Sequence, residues 1–278
     1  MPPQDVPDGN IWRDNAGRVS AFLSRLDGEC RICFPQFASY IFSEAKACQE
    51  GIQIVIESGP TSTRGQLVDG LMRNVVPLLL QSRGIQVFHA SAIRLGDGIV
   101  GLCGSSFAGK STLAYALQLR GYEVWADDAL LISATNQDVR VLKDPLVKLR
   151  LRPEARKYFS VIESGSSNEI RNIDAEFELS LSDMKELPLK ALCLLNRGSK
   201  EQAAEWCCNK INGHEALIQI LSLANYYDLT DIDEHRRITE SCLKVVSSAP
   251  IYKCHYRGGF EFIEAVVDEI EHSFSLGR

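Results

Sequence analysis

The chain has 278 residues, of which 45% are hydrophobic and 24% charged, and its formal net charge at pH 7 is −6. This composition is typical of a globular protein and allows one large domain or two modest ones. The acidic balance, with no basic run longer than two residues, argues against a nucleic-acid partner, because such partners usually need a basic surface.

The N-terminus is polar and proline-rich, without the basic start and apolar stretch of a signal peptide. The apolar run Val75–Leu80 is far too short for a membrane-spanning helix. We therefore expect a cytoplasmic protein with no membrane partner. The nine cysteines are odd in number and irregularly spaced, which favours reduced, mostly buried thiols over a disulfide framework or a zinc site.

Residues 1–84 are expected to form a smaller N-terminal α/β region that selects the substrate. A helix is predicted within it because apolar residues recur at every fourth position, namely Leu67, Leu71, Val75 and Leu79. Pro77 should kink this helix or lie in its last turn, and Gly84 should end it.

From Ile85 the apolar pattern changes to that of strands. IQVFHASAI is typical of a strand, LGDG of a tight turn and IVGLC of a second strand, so a hairpin should lead into the segment GSSFAGKST (104–112). A helix should follow and end at Gly121. The next strand, YEVWA, should lie beside the strand that precedes GSSFAGKST, and it is followed by Asp127 and Asp128.

The later elements are predicted from shorter patterns. They comprise a second hairpin after the aspartates, a helix near Arg152–Tyr158, a buried strand LKALCLL, a helix GHEALIQILSLA and a last strand APIYKCHY. The C-terminal segment indicates a helix that packs on the core through one apolar stripe: Ile263, Val266, Val267, Ile270 and Phe274.

The segment 104–112 fits the phosphate-loop (Walker A) pattern G-x-x-x-x-G-K-[ST] and has a predicted strand before it and a helix after it. Such loops surround phosphates with backbone N–H groups at a helix N-terminus. We expect Lys110 to reach the outer phosphates of ATP and Ser111 to coordinate Mg²⁺. The expected nucleotide contacts are Gly104, Ser105, Ser106, Phe107, Ala108, Gly109, Lys110, Ser111 and Thr112.

Asp127 and Asp128 are the candidates for the chemistry that a phosphate loop alone lacks. One carboxylate there can hold magnesium, and a second can accept the proton of an attacking hydroxyl. Asp127 is the expected partner of Ser111 at the metal, although the pattern leaves open which aspartate is the base. His89 lies between apolar neighbours, and a lone strand histidine is usually a core residue.

The segment HASAI...GLCGSSFAGKSTLAYAL..RGYEVWADDALLI resembles the C-terminal domain of HPr kinase/phosphorylase and related kinases, including those associated with lasso-peptide biosynthesis. In that family a strand histidine precedes the loop, the helix ends in Arg-Gly and the next strand ends in Asp-Asp. The matching residues are His89, Arg120 with Gly121, and Asp127 with Asp128. The resemblance is firm over about residues 85–135 and looser through DPLVKLRLRP, ELPLKALCLL and the C-terminal helix.

This resemblance implies a P-loop kinase core of HPr-kinase type over residues 85–278. It also implies ATP-dependent phosphorylation of a serine hydroxyl, with His89 and both aspartates around the transferred phosphate. Basic residues after the aspartates, for which Lys148 and Arg150 are the candidates, would stabilise that phosphate or position the acceptor. A solvated basic strand face explains those two residues equally well.

The sequence departs from the family pattern at two places. Phe107 stands where the family more often has glycine, and residues 168–173 (NEIRNI) only partly match a downstream signature. The second departure argues against HPr as the substrate and against phosphorylase activity, and it favours the peptide-modifying branch or another relative. The expected acceptor is a serine of a peptide or small protein, such as a lasso precursor peptide. A metabolite kinase and a regulatory nucleotide-binding protein without transfer activity remain alternatives, and homo-oligomerisation is left open.

Two other nucleotide-dependent classes are disfavoured. A GTPase would need an N-K-x-D element, and residues 196–199 (NRGS) match it only in part. An ABC-type ATPase would need an LSGGQ-like signature, which the sequence lacks.

Overall fold

The chain contains both strands and helices, which confirms the predicted α/β class. The computed structural model describes residues 10–13, 16–43, 53–135, 138–144, 147, 149, 151–162, 184–199, 206–226 and 231–275. The chain divides into two units, one from residues 1–87 and 224–243 and the other from residues 88–223 and 244–278.

The first unit contains a five-stranded antiparallel sheet whose strands neighbour one another in chain order. The strands are β1 (Ile11–Arg13), β2 (Val19–Leu26), β3 (Glu29–Phe34), β4 (Ala38–Ser43) and β5 (Val55–Ser58). Residues of β4 alternate between buried and half-buried, as expected when one face of a sheet covers a core. Asp27 and Gly28 both have positive φ, which suits the tight turn between β2 and β3.

A helical segment covers the buried face of this sheet. It comprises α1 (Arg64–Gly70), a π-helical turn (Leu71–Val75) and α2 (Val76–Ser82), so the predicted helix continues through Pro77. A capping box between Thr63 and Gln66 begins it. The Tyr40 hydroxyl donates a 2.8 Å hydrogen bond to the Leu67 carbonyl, which joins helix and sheet. Pro77 lies in the first turn of α2, where its missing N–H is tolerated.

The second unit is built on a larger mixed sheet. After β6 (Ile85–Phe88), its strands are β7 (Ala90–Leu95), β8 (Gly98–Cys103), β9 (Val124–Ala126), β10 (Leu130–Ala134), β11 (Val139–Leu142), β12 (Glu186–Gly198), β13 (Trp206–Ile211) and β14 (Ile251–Arg257). The spatial order is β10-β11-β12-β8-β7-β9, with β14 also beside β12 and β13 beside β14. IQVFHASAI therefore forms two strands, since His89 interrupts it.

The prediction that the strand before the aspartates lies beside the loop strand is wrong. β9 pairs with β7, and β7 separates it from β8. The hairpin explains this arrangement, because β7 occupies one edge of β8 and β12 occupies the other. The aspartates are therefore one strand further from the loop strand than expected.

Helices alternate with these strands along the chain. They are α3 (Lys110–Leu119), α4 (Pro153–Ile162), α5 (Gly213–Leu221) and α7 (Ile263–Ser275), while α6 (Ile232–Ser248) precedes β14. The predicted apolar stripe of α7 is buried in one cluster with Ala114 and Leu117 of α3. Arg120, just after α3, bonds to the carboxylates of three α7 residues: Glu264, Asp268 and Glu271.

Two further predictions concern cysteines and membranes. No disulfide joins any of the eight cysteines that the structure describes, and most of them are buried or half-buried. In the described part of the chain, no helix is both long enough and apolar enough to span a bilayer.

Candidate active site

The segment 104–112 forms a loop between β8 and the N-terminus of α3, as the sequence predicts. Both of its glycines have positive φ, 149° at Gly104 and 88° at Gly109. A Cβ at Gly104 would lie 2.8 Å from the Leu195 carbonyl oxygen, and one at Gly109 would lie 2.2 Å from the Tyr256 hydroxyl. Close packing against the protein therefore requires glycine at both positions.

The side chain of Tyr256 packs against the loop and stabilises it. Its hydroxyl donates a 2.5 Å hydrogen bond to the carbonyl of Ala108, which is also buried. Burial raises the pKa of Tyr256 to about 12, with Arg197 acting in the opposite direction, so the phenol stays protonated at neutral pH. Ser105, Ser106 and the Phe107 ring lie exposed at the tip of the loop.

Lys110 lies across the loop rather than in solvent. The side chain is 7% exposed, and its ammonium donates to the carbonyls of Gly104 at 2.9 Å and Ser105 at 3.2 Å. Burial lowers the pKa of Lys110, while the negative charge of Asp128 is the largest influence that raises it. A cation held in this way could exchange the two carbonyls for phosphate oxygens.

Asp127 joins the end of β9 to the loop. Its Oδ1 atom accepts hydrogen bonds from the hydroxyls of Ser111 at 2.8 Å and Ser91 at 2.6 Å. Asp127 is 7% exposed, so this contact is poorly solvated. The structure therefore brings together Ser111 and Asp127, the two residues predicted as metal ligands. Thr112 follows them in the first turn of α3 and is half-buried.

The Ser111 and Asp127 oxygens fit a magnesium ion chemically, because Mg²⁺ prefers oxygen ligands. Among the described residues, no three His, Cys, Asp or Glu side chains form a metal-binding cluster. Mg²⁺ in nucleotide sites typically takes one or two carboxylates and completes its shell with phosphates and water. Ser111 and Asp127 would supply the protein side of such a shell.

His89 lies against the backbone that carries the second aspartate. Its Nδ1 is 3.3 Å from the carbonyl oxygen of Asp128, a contact in which the ring nitrogen is the donor. Asp128 has a φ of 65°, a left-handed conformation that aspartate adopts more readily than most residues. His89 therefore contacts the peptide group of Asp128, and its neutral ring would carry the acceptor nitrogen at Nε2.

Three residues that sequence reasoning did not assign belong to this site: Ser91, Tyr256 and Arg152. Ser91 follows His89 closely in β7, so strand alternation around the histidine could have suggested it. Arg152 lies in the same basic stretch as the predicted Lys148 and Arg150, which fall outside the described residues. Nothing in the sequence near Tyr256 indicates its role.

Arg152 stacks on the ring of Phe107, with its guanidinium carbon 3.6 Å from the ring centroid. Its positive charge also contributes to lowering the pKa of Lys110, after burial. Phe107 has a φ of 71°, which is strained for a bulky residue. The Phe107 ring thus places the Arg152 guanidinium at the tip of the loop. The backbone of Phe107 has a conformation that glycine would adopt more easily.

Comparisons with known proteins match this chain to solved structures only. The sequence matches no protein-family model, and a search of curated proteins returned no match. Among solved structures, the chain is similar to the HPr(Ser) kinase/phosphatase from Coxiella burnetii. The two are 10% identical, the match covers 68% of this chain and 95% of that chain, and the TM-score is 0.36.

Proposed function

We propose that this protein is an ATP- and magnesium-dependent kinase of HPr-kinase type, which phosphorylates a hydroxyl, namely a serine of a peptide or small protein. The observation that carries the proposal is the buried Oδ1 of Asp127, which accepts from Ser111 of the loop and from Ser91. This contact joins a phosphate loop to a carboxylate in the way that a magnesium–nucleotide site requires.

The loop supplies the interactions with the phosphates of the donor. Its backbone N–H groups and the N-terminus of α3 favour negative charge. Lys110 and Arg152 add two cations, one across the loop and one at its tip. Phosphoryl transfer spreads charge over the transferred group, so positive groups fixed in place stabilise the transition state.

Ser111 and Asp127 would hold the magnesium ion, whose charge, when bound, offsets the charge of the β- and γ-phosphates. Asp127 also keeps its orientation through the hydroxyl of Ser91, which is fully buried. Ser91 is therefore a positioning residue, since it acts on the phosphates only through the carboxylate.

Asp128 is the base in this proposal, because Oδ1 of Asp127 is already engaged by two hydroxyls. The acceptor oxygen forms a bond to the γ-phosphorus, the bond from that phosphorus to the β–γ bridging oxygen breaks, and ADP leaves. The proton of the acceptor hydroxyl passes to the Asp128 carboxylate. His89 fixes the Asp128 backbone through its Nδ1.

The acceptor class rests on the motif resemblance, which includes kinases that modify a peptide. A serine of a lasso precursor peptide is one such acceptor. A screen with γ-labelled ATP, serine-containing peptides and small alcohols tests this assignment. We expect label on a peptide serine; label on a small alcohol alone would overturn the peptide assignment.

The chemistry is tested by Asp128→Asn, with Asp97→Asn as a matched control at a carboxylate that is 95% exposed. We expect Asp128→Asn to lower kcat by about 10²- to 10⁴-fold, the usual contribution of a general base. The control should transfer normally. Normal transfer by an Asp127→Asn, Asp128→Asn double variant would contradict the proposed roles, and ATP binding without any transfer would point to a regulatory protein.

A further inference from the structure

A cavity of about 370 Å³ lies beside the phosphate loop. Residues 105–108 of the loop form one wall, and residues 195–199 form the other. The second wall is the NRGS segment that only partly matches a guanine-recognition element. None of the residues assigned to the phosphates, the metal or the base comes from this second wall.

The cavity exists because β12 is longer than the strand that carries the loop. β8 ends at Cys103, which pairs with Leu194 of the parallel strand β12. β12 continues to Gly198, and among the described strands these last residues pair with β14 on their other side. Ligands of open α/β sheets bind beyond the carboxyl ends of such parallel strands.

Two contacts fix the position of the second wall. A Cβ on Gly104 would collide with the Leu195 carbonyl, so the wall touches the start of the loop. The Gly258 N–H donates to the Gly198 carbonyl at 3.1 Å. A Cβ on Gly258 would also lie 2.8 Å from Nε of Arg197, so the guanidinium packs closely over that glycine.

The lining has the chemical character of a nucleoside site. Asn196 presents an amide with a donor and an acceptor, Arg197 presents a guanidinium, and both side chains are exposed. Phe107 is 67% exposed at the rim. Among the described residues, those that line this cavity include no carboxylate. The volume lies at the lower end of the range for small-molecule sites, about 300–1,000 Å³.

We propose that this cavity binds the nucleoside of the phosphate donor and that Asn196 selects adenine. The inference rests on the proposed function, because the phosphates in the loop would bring the nucleoside to this place. An asparagine amide matches the N6 donor and N7 acceptor of adenine. Guanine instead presents N–H donors on its Watson–Crick edge that suit a carboxylate acceptor, and the described part of the lining supplies none.

The test compares ATP with inorganic tripolyphosphate, which carries the phosphates without a nucleoside. Calorimetry on the full-length protein should show ATP binding at least about tenfold more tightly than tripolyphosphate. Asn196→Ala should weaken ATP binding by about tenfold, the scale of one bidentate base contact, and leave tripolyphosphate binding unchanged. A neutral side chain is the better probe here, since removing Arg197 would also remove positive charge near the polyanion.

Two further variants sharpen the result. Asn196→Asp introduces a carboxylate and should shift the ATP-to-GTP affinity ratio towards GTP. Asn209→Ala removes an exposed asparagine of β13 that does not line the cavity. It should leave the affinities for ATP and for tripolyphosphate unchanged.

Several outcomes would overturn the nucleoside assignment without contradicting the proposed role of the phosphate loop. These are equal wild-type affinities for ATP and tripolyphosphate, an equal loss of both in Asn196→Ala, or no loss of ATP affinity in that variant. Tighter wild-type binding of GTP than of ATP would overturn the adenine assignment and point to Arg197, which can pair with guanine O6 and N7. Failure of the wild type to bind either ligand would instead contradict the proposed function itself.

Discussion

The Ser111 hydroxyl donates a 2.8 Å hydrogen bond to Oδ1 of Asp127. Ser111 lies in the first turn of α3, whereas Asp127 directly follows β9. Because Asp127 is buried, this charge-assisted bond forms with little competition from water. The bond ties the phosphate loop to the aspartate pair, so its loss should impair magnesium use.

Ser111→Ala should raise the magnesium concentration that gives half-maximal phosphate transfer and should lower kcat, because one oxygen ligand is lost. A magnesium titration of initial rates measures both effects. Ser160→Ala removes an exposed hydroxyl of α4 and serves as the control. An unchanged magnesium requirement in Ser111→Ala would contradict the assigned ligand role.

Ser91→Ala should destabilise the fold. The substitution removes a hydroxyl that donates a hydrogen bond to the buried carboxylate of Asp127. Such a loss lowers the free energy of unfolding by about 1–3 kcal/mol. Urea unfolding measures the change in free energy of unfolding. Because Ser91 also orients Asp127, Ser91→Ala should weaken magnesium binding as well. Ser91→Thr keeps the hydroxyl and should recover part of that affinity, a result that a purely structural role for Ser91 would not produce.

Phe107→Gly should separate stability from activity. Glycine adopts the positive φ of Phe107 without strain, although it gains freedom in the unfolded chain, so the melting temperature should stay the same or rise slightly. The ring that holds Arg152 is lost, so kcat/KM for ATP should fall. Arg152→Ala should show a similar fall, and the double variant should be no worse than either single variant; independent, additive losses would show that the stacking contact does not position Arg152.

ATP binding should weaken at alkaline pH through Lys110. Burial lowers the pKa of the free side chain, whereas bound phosphates would favour its charged form and raise that pKa. Binding above the free pKa therefore requires proton uptake, and affinity should fall at a lower pH than for an ordinary lysine. Calorimetry in buffers of different ionisation enthalpy measures the uptake. Lys110→Met should bind weakly and lack this proton uptake; the same uptake in that variant would exclude Lys110 as its source.

Arg120→Ala should affect stability more than catalysis. Arg120 occupies the Arg-Gly position of the motif, yet its side chain donates hydrogen bonds to the carboxylates and backbone of α7. The loss should be about 1 kcal/mol, because most of this ion-pair network is exposed, and it should shrink at high salt. Thermal unfolding at two salt concentrations measures it. A large fall in kcat with an unchanged melting temperature would contradict this structural role.

The local parts of the site could be predicted from the sequence. The strand, loop and helix around residues 104–112 follow from glycine spacing and from a change of apolar period, both of which are short-range properties. The stripe on α7 was predictable for the same reason, because helix periodicity shows which residues share a buried face. α6 was not among the predicted elements, although its apolar residues include the buried Ile238, Cys242 and Val245.

Contacts between distant segments could not be predicted in this way. Sequence order suggested β9 beside β8, but hairpin pairing placed β7 between them. Tyr256 reaches the loop only because β14 pairs with β12, and Arg152 only because its side chain stacks on Phe107. The sequence was thus enough to locate the phosphate loop, but it did not show which strands and side chains pack against it.

The sequence by itself determined that a phosphate loop begins α3 and that two aspartates end the next strand. Only the tertiary structure decided that Asp127 meets Ser91 and Ser111, that Tyr256 supports Ala108, and that the end of β12 forms a cavity beside the loop. The physical reason is the range of the interactions. Turns and helices follow from neighbouring residues, whereas strand order and close packing depend on residues that are far apart along the chain.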